Sequence, residues 1–207
     1  MAMPEQGAGE AELERRDGIL RAGMEVFFEY GYVGASVDEV VRRAGGSKRT
    51  VYKYFDNKEG LFAAIVANLL EQMTQPLQPE ITDEQGLYDT LENLGKNYLG
   101  VLLQDESLAI FRTVVSEGVK FPELAKAFYE YGPGAAIKKL SSYLLRQTEA
   151  GVLKVDDAES AARQYFGMIR SDIHMRAVLG LEVPGDKEID QSISRAVDIF
   201  VKEYDAD

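Results

Sequence analysis

Two serines eleven residues apart, Ser36 and Ser47, frame the feature that most limits what this chain can become. Each stands where a helix N-cap belongs, because a serine oxygen can accept from backbone N–H groups that the first turn leaves unpaired. Ser36 has Glu39 three residues on, the capping-box spacing. This predicts a short helix over 37–44 with Val37, Val40 and Val41 inward, stopped by Gly45-Gly46. Ser47 then caps a second short helix through Tyr54. Ahead of the pair, Ile19, Gly23, Val26, Phe27 and Tyr30 fall on one face of a helix over about 14–30, which Gly31 ends. Behind it, Asn57 offers a cap for a helix from Lys58 to about Thr74. Short helices joined by a tight glycine turn are the helix-turn-helix arrangement. The turn is Ala44-Gly45-Gly46-Ser47, in which glycine supplies backbone freedom and Ala44 permits close approach. A B-DNA major groove, about 12 Å wide, admits one such helix.

The charge distribution agrees with that geometry. Net charge is −12, which taken alone argues against nucleic acid. Yet residues 13–61 carry nine Lys/Arg against eight Asp/Glu, and Arg42 to Lys53 holds five basic residues and no acidic one. Residues 62–207 carry the bulk of the negative charge, with 14 basic against 24 acidic. A basic stripe on an acidic chain is a compact electrostatic footprint. The acidic remainder discourages loose coating of DNA.

The rest reads as helix throughout, so the fold class is all-α: a three-helix DNA-binding head and a larger helical domain. Residues 1–12 (Gly, Ala and Glu without apolar period) are expected to be a disordered tail. The head spans 13–61, its connecting helix continues to about 75, and residues 76–207 form the body. Pro76 and Pro79 bound a linker and Thr82 caps a helix to about Gln104. Further helices are expected near 106–119, 122–131, 134–150, 156–179 and 187–204.

Several classes are set aside. The longest apolar run, residues 61–67, is a third of the roughly 20 residues that cross a bilayer. Met1-Ala2-Met3-Pro4-Glu5 lacks the basic start and apolar stretch of a signal peptide. Zero cysteines exclude disulfides and thiolate chemistry and fit a reducing cytoplasm, the expected location. His174, beside Arg170, Asp172 and Arg176, reads as a packed residue rather than a base. Asp156, Asp157 and Glu159 read as helix-start acids rather than metal ligands. Gly132-Pro133-Gly134 is a helix break, not a phosphate loop. No catalytic residue, metal or cofactor is assigned.

The string Phe27-Phe28-Glu29-Tyr30-Gly31-Tyr32, Ser36-Val37, Ala44-Gly45, Ser47, Thr50-Val51-Tyr52, Tyr54-Phe55 and Asn57-Lys58-Glu59-Gly60-Leu61 resembles, in order and spacing, the head of TetR/AcrR regulators. Gly46 departs from it, since the family more often has an apolar residue there. The resemblance implies phosphate contacts from Ser36, Tyr54 and Lys58, the last helped by the positive end of its helix. It implies base contacts from Ser47, Lys48, Arg49, Thr50 and Lys53, with Tyr52 facing groove or backbone and Val51 and Phe55 in the core.

One head reads only a few base pairs, so two are expected on one duplex face, about 34–36 Å apart, from a homodimer binding double-stranded operator DNA. The helix expected over 156–179 spreads its apolar residues over more than one face, which leaves surface for a partner. Ile173, Val178, Ile193, Val197 and Phe200 are the expected interface, on two C-terminal helices that resemble the family's dimer bundle. Phe111-Arg112, Phe121-Pro122-Glu123-Leu124-Ala125, Phe128-Tyr129 and Gly132-Pro133 resemble an AefR-like C-terminal domain. That resemblance implies a pocket for a small, mostly apolar effector, with Phe111, Arg112, Phe128, Tyr129, Tyr143, Tyr165 and Met168 as its candidate lining. The family resemblance also implies a repressor, released by such an effector. The competing readings are a helical protein-interaction module that keeps the head, and an all-helical enzyme.

Overall fold

A computed structural model describes residues 6–74 and 86–206 of the chain. The described residues form eleven helices and an isolated bridge between Leu153 and Asp205. They group into two compact units, one of residues 6–68 with 109–128, the other of residues 69–74 and 86–108 with 129–206. The sequence puts everything after residue 76 in one body. Residues 109–128 instead cluster with the head, where the Phe121 ring meets that of Tyr32 at 5.7 Å.

In the head unit, α1 (Gln6–Gly34) starts earlier than expected. Residues 6–12 are helical rather than a tail, while residues 1–5 lie outside the described residues. The helix is interrupted at Gly31, φ 65° and ψ 177°, a conformation essentially restricted to glycine. That reversal turns Tyr32 into the core at 3% exposure, stacked on Phe27 at 5.7 Å and edge-on to Phe62. Tyr30, which the helical period placed inward, is 47% exposed because Tyr32 fills the space. After it come α2 (Val37–Ala44), α3 (Lys48–Phe55) and α4 (Lys58–Thr74). Of the three valines expected inward on α2, Val40 is buried, and Val37 and Val41 are half-buried. Leu61, Phe62 and Ile65 of α4 complete this core. Gly23 makes room for them, since a Cβ there would lie 3.1 Å from Leu61 Cδ2. The unit also takes in most of α6 (Asp105–Glu117) and α7 (Pro122–Tyr131).

The second unit is built on α5 (Leu87–Leu102), α8 (Pro133–Glu149), α9 (Ala158–Arg170), α10 (Ile173–Val178) and α11 (Asp186–Tyr204). The Pro76–Pro79 linker and the Thr82 cap lie outside the described residues; Gly86 stands at the start of α5. The helix expected over 156–179 is two. Asp157 caps the first, accepting from the Ser160 N–H at 3.0 Å, and Ser171 breaks the run with φ 43°. Tyr165 is the central pillar of this core: fully buried, its hydroxyl donates to the Leu91 carbonyl and its ring meets Phe166 and Phe200 edge-on. Gly95 lets α5 come this close. A Cβ there would lie 2.9 Å from Ile169 Cδ1 and 3.0 Å from both Ile193 Cγ2 and Tyr165 Oη. Among the described residues no helix is long and apolar enough to cross a membrane.

Candidate nucleic-acid interface

Helix α3 has only eight residues, so its direction is set by what pins it. Val51 and Phe55, four apart and on one face, are 0% and 5% exposed. At the start, Ser47 Oγ accepts from the Thr50 N–H at 3.2 Å and lies 3.0 Å from Thr50 Oγ1. These two hydroxyls therefore serve the cap in the free protein. The turn before it holds Gly45 at φ 74° and Gly46 at φ 100°, so Gly46 sits where an apolar side chain would be strained. With the inner face fixed, Lys48, Arg49, Tyr52 and Lys53 project into solvent, and Thr50 is half-buried. Tyr54 is half-buried beside Lys53, whose Nζ lies 5.4 Å from its ring centroid.

Helix α2 braces this helix. Ser36 Oγ accepts from the Glu39 N–H at 3.2 Å, one half of the expected capping box. The Glu39 carboxylate does not return to the cap; it accepts from Arg42 at 2.6 and 2.7 Å and from Arg43 at 2.9 Å. Those two guanidiniums hold its carboxyl down to about 2. Arg43 also donates to Glu29 of α1 and lies 5.7 Å from the Tyr30 ring centroid. One arginine thus ties α2 to α1. This brace was not anticipated, because the sequence shows Arg43 only as part of a basic run.

Lys58 opens α4 as expected, but it is not simply a solvated charge. Its ammonium lies 4.5 Å from the Tyr32 ring centroid, and burial lowers its pKa below the ordinary lysine value. The Tyr32 hydroxyl donates to Glu59 at 3.0 Å. Burial, followed by that carboxylate, pushes the phenol pKa upward. Asn57 accepts from the Gly60 N–H at 2.7 Å and so caps α4.

The residues expected to line an effector pocket are divided. Phe111, Arg112 and Phe128 belong to the head unit, where the two phenylalanine rings meet at 5.9 Å. Tyr129, Tyr143, Tyr165 and Met168 belong to the other unit. There Tyr165 is sealed in the core, Tyr143 is buried and Tyr129 is 54% exposed. Met168 does line a groove of about 560 Å³ on α9 and α11, with Gln164, Gly167, Ile199, Phe200, Glu203 and Tyr204. Four of the five residues expected at a dimer interface lie in the protomer's own core. Ile173, Ile193, Val197 and Phe200 are at most 3% exposed within one protomer, and Val178 is half-buried. Side chains already enclosed by their own core have no area to bury against a second chain. Outward apolar residues beside them are Met175, 59% exposed, Leu179, 64%, and Ile199, 60%.

A short, capped helix with an apolar underside and a cationic outer face, braced by a second helix across a glycine turn, defines a helix-turn-helix DNA-binding regulator. Comparison with known proteins agrees. The family model described as "Bacterial regulatory proteins, tetR family" matches residues 19–65, and that described as "AefR-like transcriptional repressor, C-terminal domain" matches residues 89–206. The chain belongs to the TetR family of transcriptional regulators and carries an AefR-like C-terminal domain. It is similar to the solved structure of the flavonoid-responsive regulator FrrA, with 33% identity, a TM-score of 0.73, and coverage of 93% of this chain and 97% of that one. A TetR transcriptional regulator from Agrobacterium tumefaciens is 28% identical with a TM-score of 0.74, covering 92% and 94%. The regulator YvdT of Bacillus subtilis strain 168 is 33% identical over 92 residues, which are 44% of this chain and 45% of YvdT. All three relatives are regulators, two of them named as transcriptional.

Proposed function

We propose that the chain is a homodimeric repressor that reads a palindromic operator with α3 and is released by a small, largely apolar effector held in the second unit. The observation that carries this reading is the division of α3 into a sealed face, Val51 and Phe55, and an open one, Lys48, Arg49, Tyr52 and Lys53. Lys48, Arg49 and Lys53 are assigned to base edges, where arginine and lysine pair with guanine O6 and N7. Ser47 and Thr50 join them by exchanging their mutual hydrogen bond for contacts in the groove. Ser36, Tyr54 and Lys58 are assigned to phosphates, which position the head without reading sequence.

Two heads are supplied by pairing α9 and α11 across the groove that holds Met168 and Ile199, with half-sites about 34–36 Å apart. An effector that favours a different head spacing weakens operator binding by its differential affinity, typically about 1–3 kcal/mol. FrrA is flavonoid-responsive, which makes flavonoids the first effectors to try. The site of action is the cytoplasm, where the chromosome is.

The test is fluorescence anisotropy with duplexes from the DNA flanking the coding region, beside sedimentation velocity of the free protein. Binding as a dimer to an inverted repeat, with at least 10³-fold preference over unrelated duplex, is the expected result. A monomeric protein, or one that binds every duplex alike, overturns the reading.

A further inference from the structure

Both lysines of α3 are already paired with carboxylates from other elements of the same head. Lys48 Nζ lies 2.8 Å from Asp38 Oδ2 of α2, and Lys53 Nζ donates to Glu12 Oε1 of α1. Asp38 lies ten residues before Lys48, and Glu12 forty-one before Lys53, so neither pairing is a local helix contact. The early turns of α1 are held beside α3 by more than this pair. The Arg16 guanidinium sits 5.4 Å from the Phe55 ring centroid, and a Cβ on Gly46 would lie 3.2 Å from Arg15 Nη2. The residues that composition suggests are a tail therefore deliver an acid to the cationic face.

We propose that Asp38 and Glu12 are an intramolecular brake on DNA binding, occupying Lys48 and Lys53 in the free protein as a guanine acceptor would on a duplex. The proposal rests on α3 being the reading helix. A carboxylate and a guanine O6 or N7 compete for the same ammonium protons, so neither lysine can be fully spent on DNA until its carboxylate lets go. Both pairs are exposed, with all four side chains at least half open to solvent. Exposed pairs are individually weak and screened by salt, which suits a brake that sets affinity and can be displaced, rather than a lock. The hydrogen-bonded partners hold both lysines above, and Glu12 below, their ordinary pKa values, as mutual stabilisation requires. A chain whose base-reading lysines are shielded also binds non-specific DNA less, because that binding is almost wholly electrostatic.

The test measures the affinity of the full-length protein for the flanking inverted repeat and for an unrelated duplex of equal length, over a range of monovalent salt. Asp38→Asn and Glu12→Gln should each tighten binding to both duplexes about two- to fivefold at low salt, the gain shrinking as salt rises. The two changes together should multiply. Asp38→Glu, which keeps the charge, should restore wild-type affinity, and circular dichroism should be the same for all variants. Two results overturn the brake: no tightening in either variant, or tightening by Asp38→Asn that persists undiminished with Lys48→Ala. The second would show that net charge, not the pairing, is responsible. If Arg49→Ala binds the repeat as well as wild type, α3 is not the reading helix and both readings fall. If Arg49→Ala is defective while Asp38→Asn and Glu12→Gln are silent, only the brake is lost.

Discussion

Helix α3 and the α9–α11 region are both amphipathic, yet they differ in what an exposed or buried residue means. On α3 the split is chemical, with Val51 and Phe55 inside and cations outside, so face and function coincide. On α9–α11 apolar residues lie on both sides. Phe200 is sealed at 1% exposure while its neighbour Ile199 is 60% exposed. A polar face announces a partner by residue type, whereas an apolar face does so only by being left uncovered. The same aromatic side chain can be core, pocket wall or interface, and the packing of several helices decides which.

The adjacent pair Phe200 and Ile199 breaks or sharpens this contrast most directly. Phe200→Ala should cost about 3–5 kcal/mol in urea unfolding, because it empties the space beside Tyr165. Ile199→Glu should leave protomer stability within about 0.5 kcal/mol but shift sedimentation velocity towards monomer. Equal stability losses for the two would erase the distinction between core and interface.

Next in size is Gly31→Ala. It should destabilise the head by about 1–3 kcal/mol, since a Cβ is strained at φ 65° and ψ 177°. Hydrogen exchange should show the loss concentrated around Tyr32 and Phe121 rather than in α9 and α11.

Within the head, Arg49→Ala should cost about 1–3 kcal/mol of operator affinity and relax preference at one base pair. Lys58→Ala should weaken all duplexes alike and reduce the salt slope by about one unit. A change of sequence preference in the Lys58 variant would reverse the roles assigned to the two residues.

The smallest effect is expected in the body. Tyr165→Phe removes the hydroxyl bonded to the Leu91 carbonyl and should cost about 1 kcal/mol in thermal unfolding. Operator affinity should not change. A larger loss of operator affinity than of stability would mean that Tyr165 does more than fill the core.

The head was legible because its instructions are local. Ser36 and Ser47 cap the helices that follow them, Gly45 and Gly46 take the positive φ of the turn, and Val51 and Phe55 repeat at helical spacing. Each of these depends on neighbours within a few residues. Gly31 was recognisable as a stop, but not that its reversal would exchange Tyr30 for Tyr32 in the core. The break at Ser171 is hidden by the apolar helical pattern that continues on both sides of it; Ser171-Asp172, two capping residue types in succession, is the signal that marks it.

From sequence alone the chain is all-α with a helix-turn-helix head, because caps, turns and periodicity act over one or two helical turns, and the residue string of that head resembles the TetR regulators. Tertiary structure alone decided that Glu12 and Asp38 meet the lysines of α3, that Gly95 lets Tyr165 into the core, and that Ile199 rather than Phe200 is left outward. Those outcomes depend on which helix faces come together across long stretches of chain, and residue spacing carries no record of that.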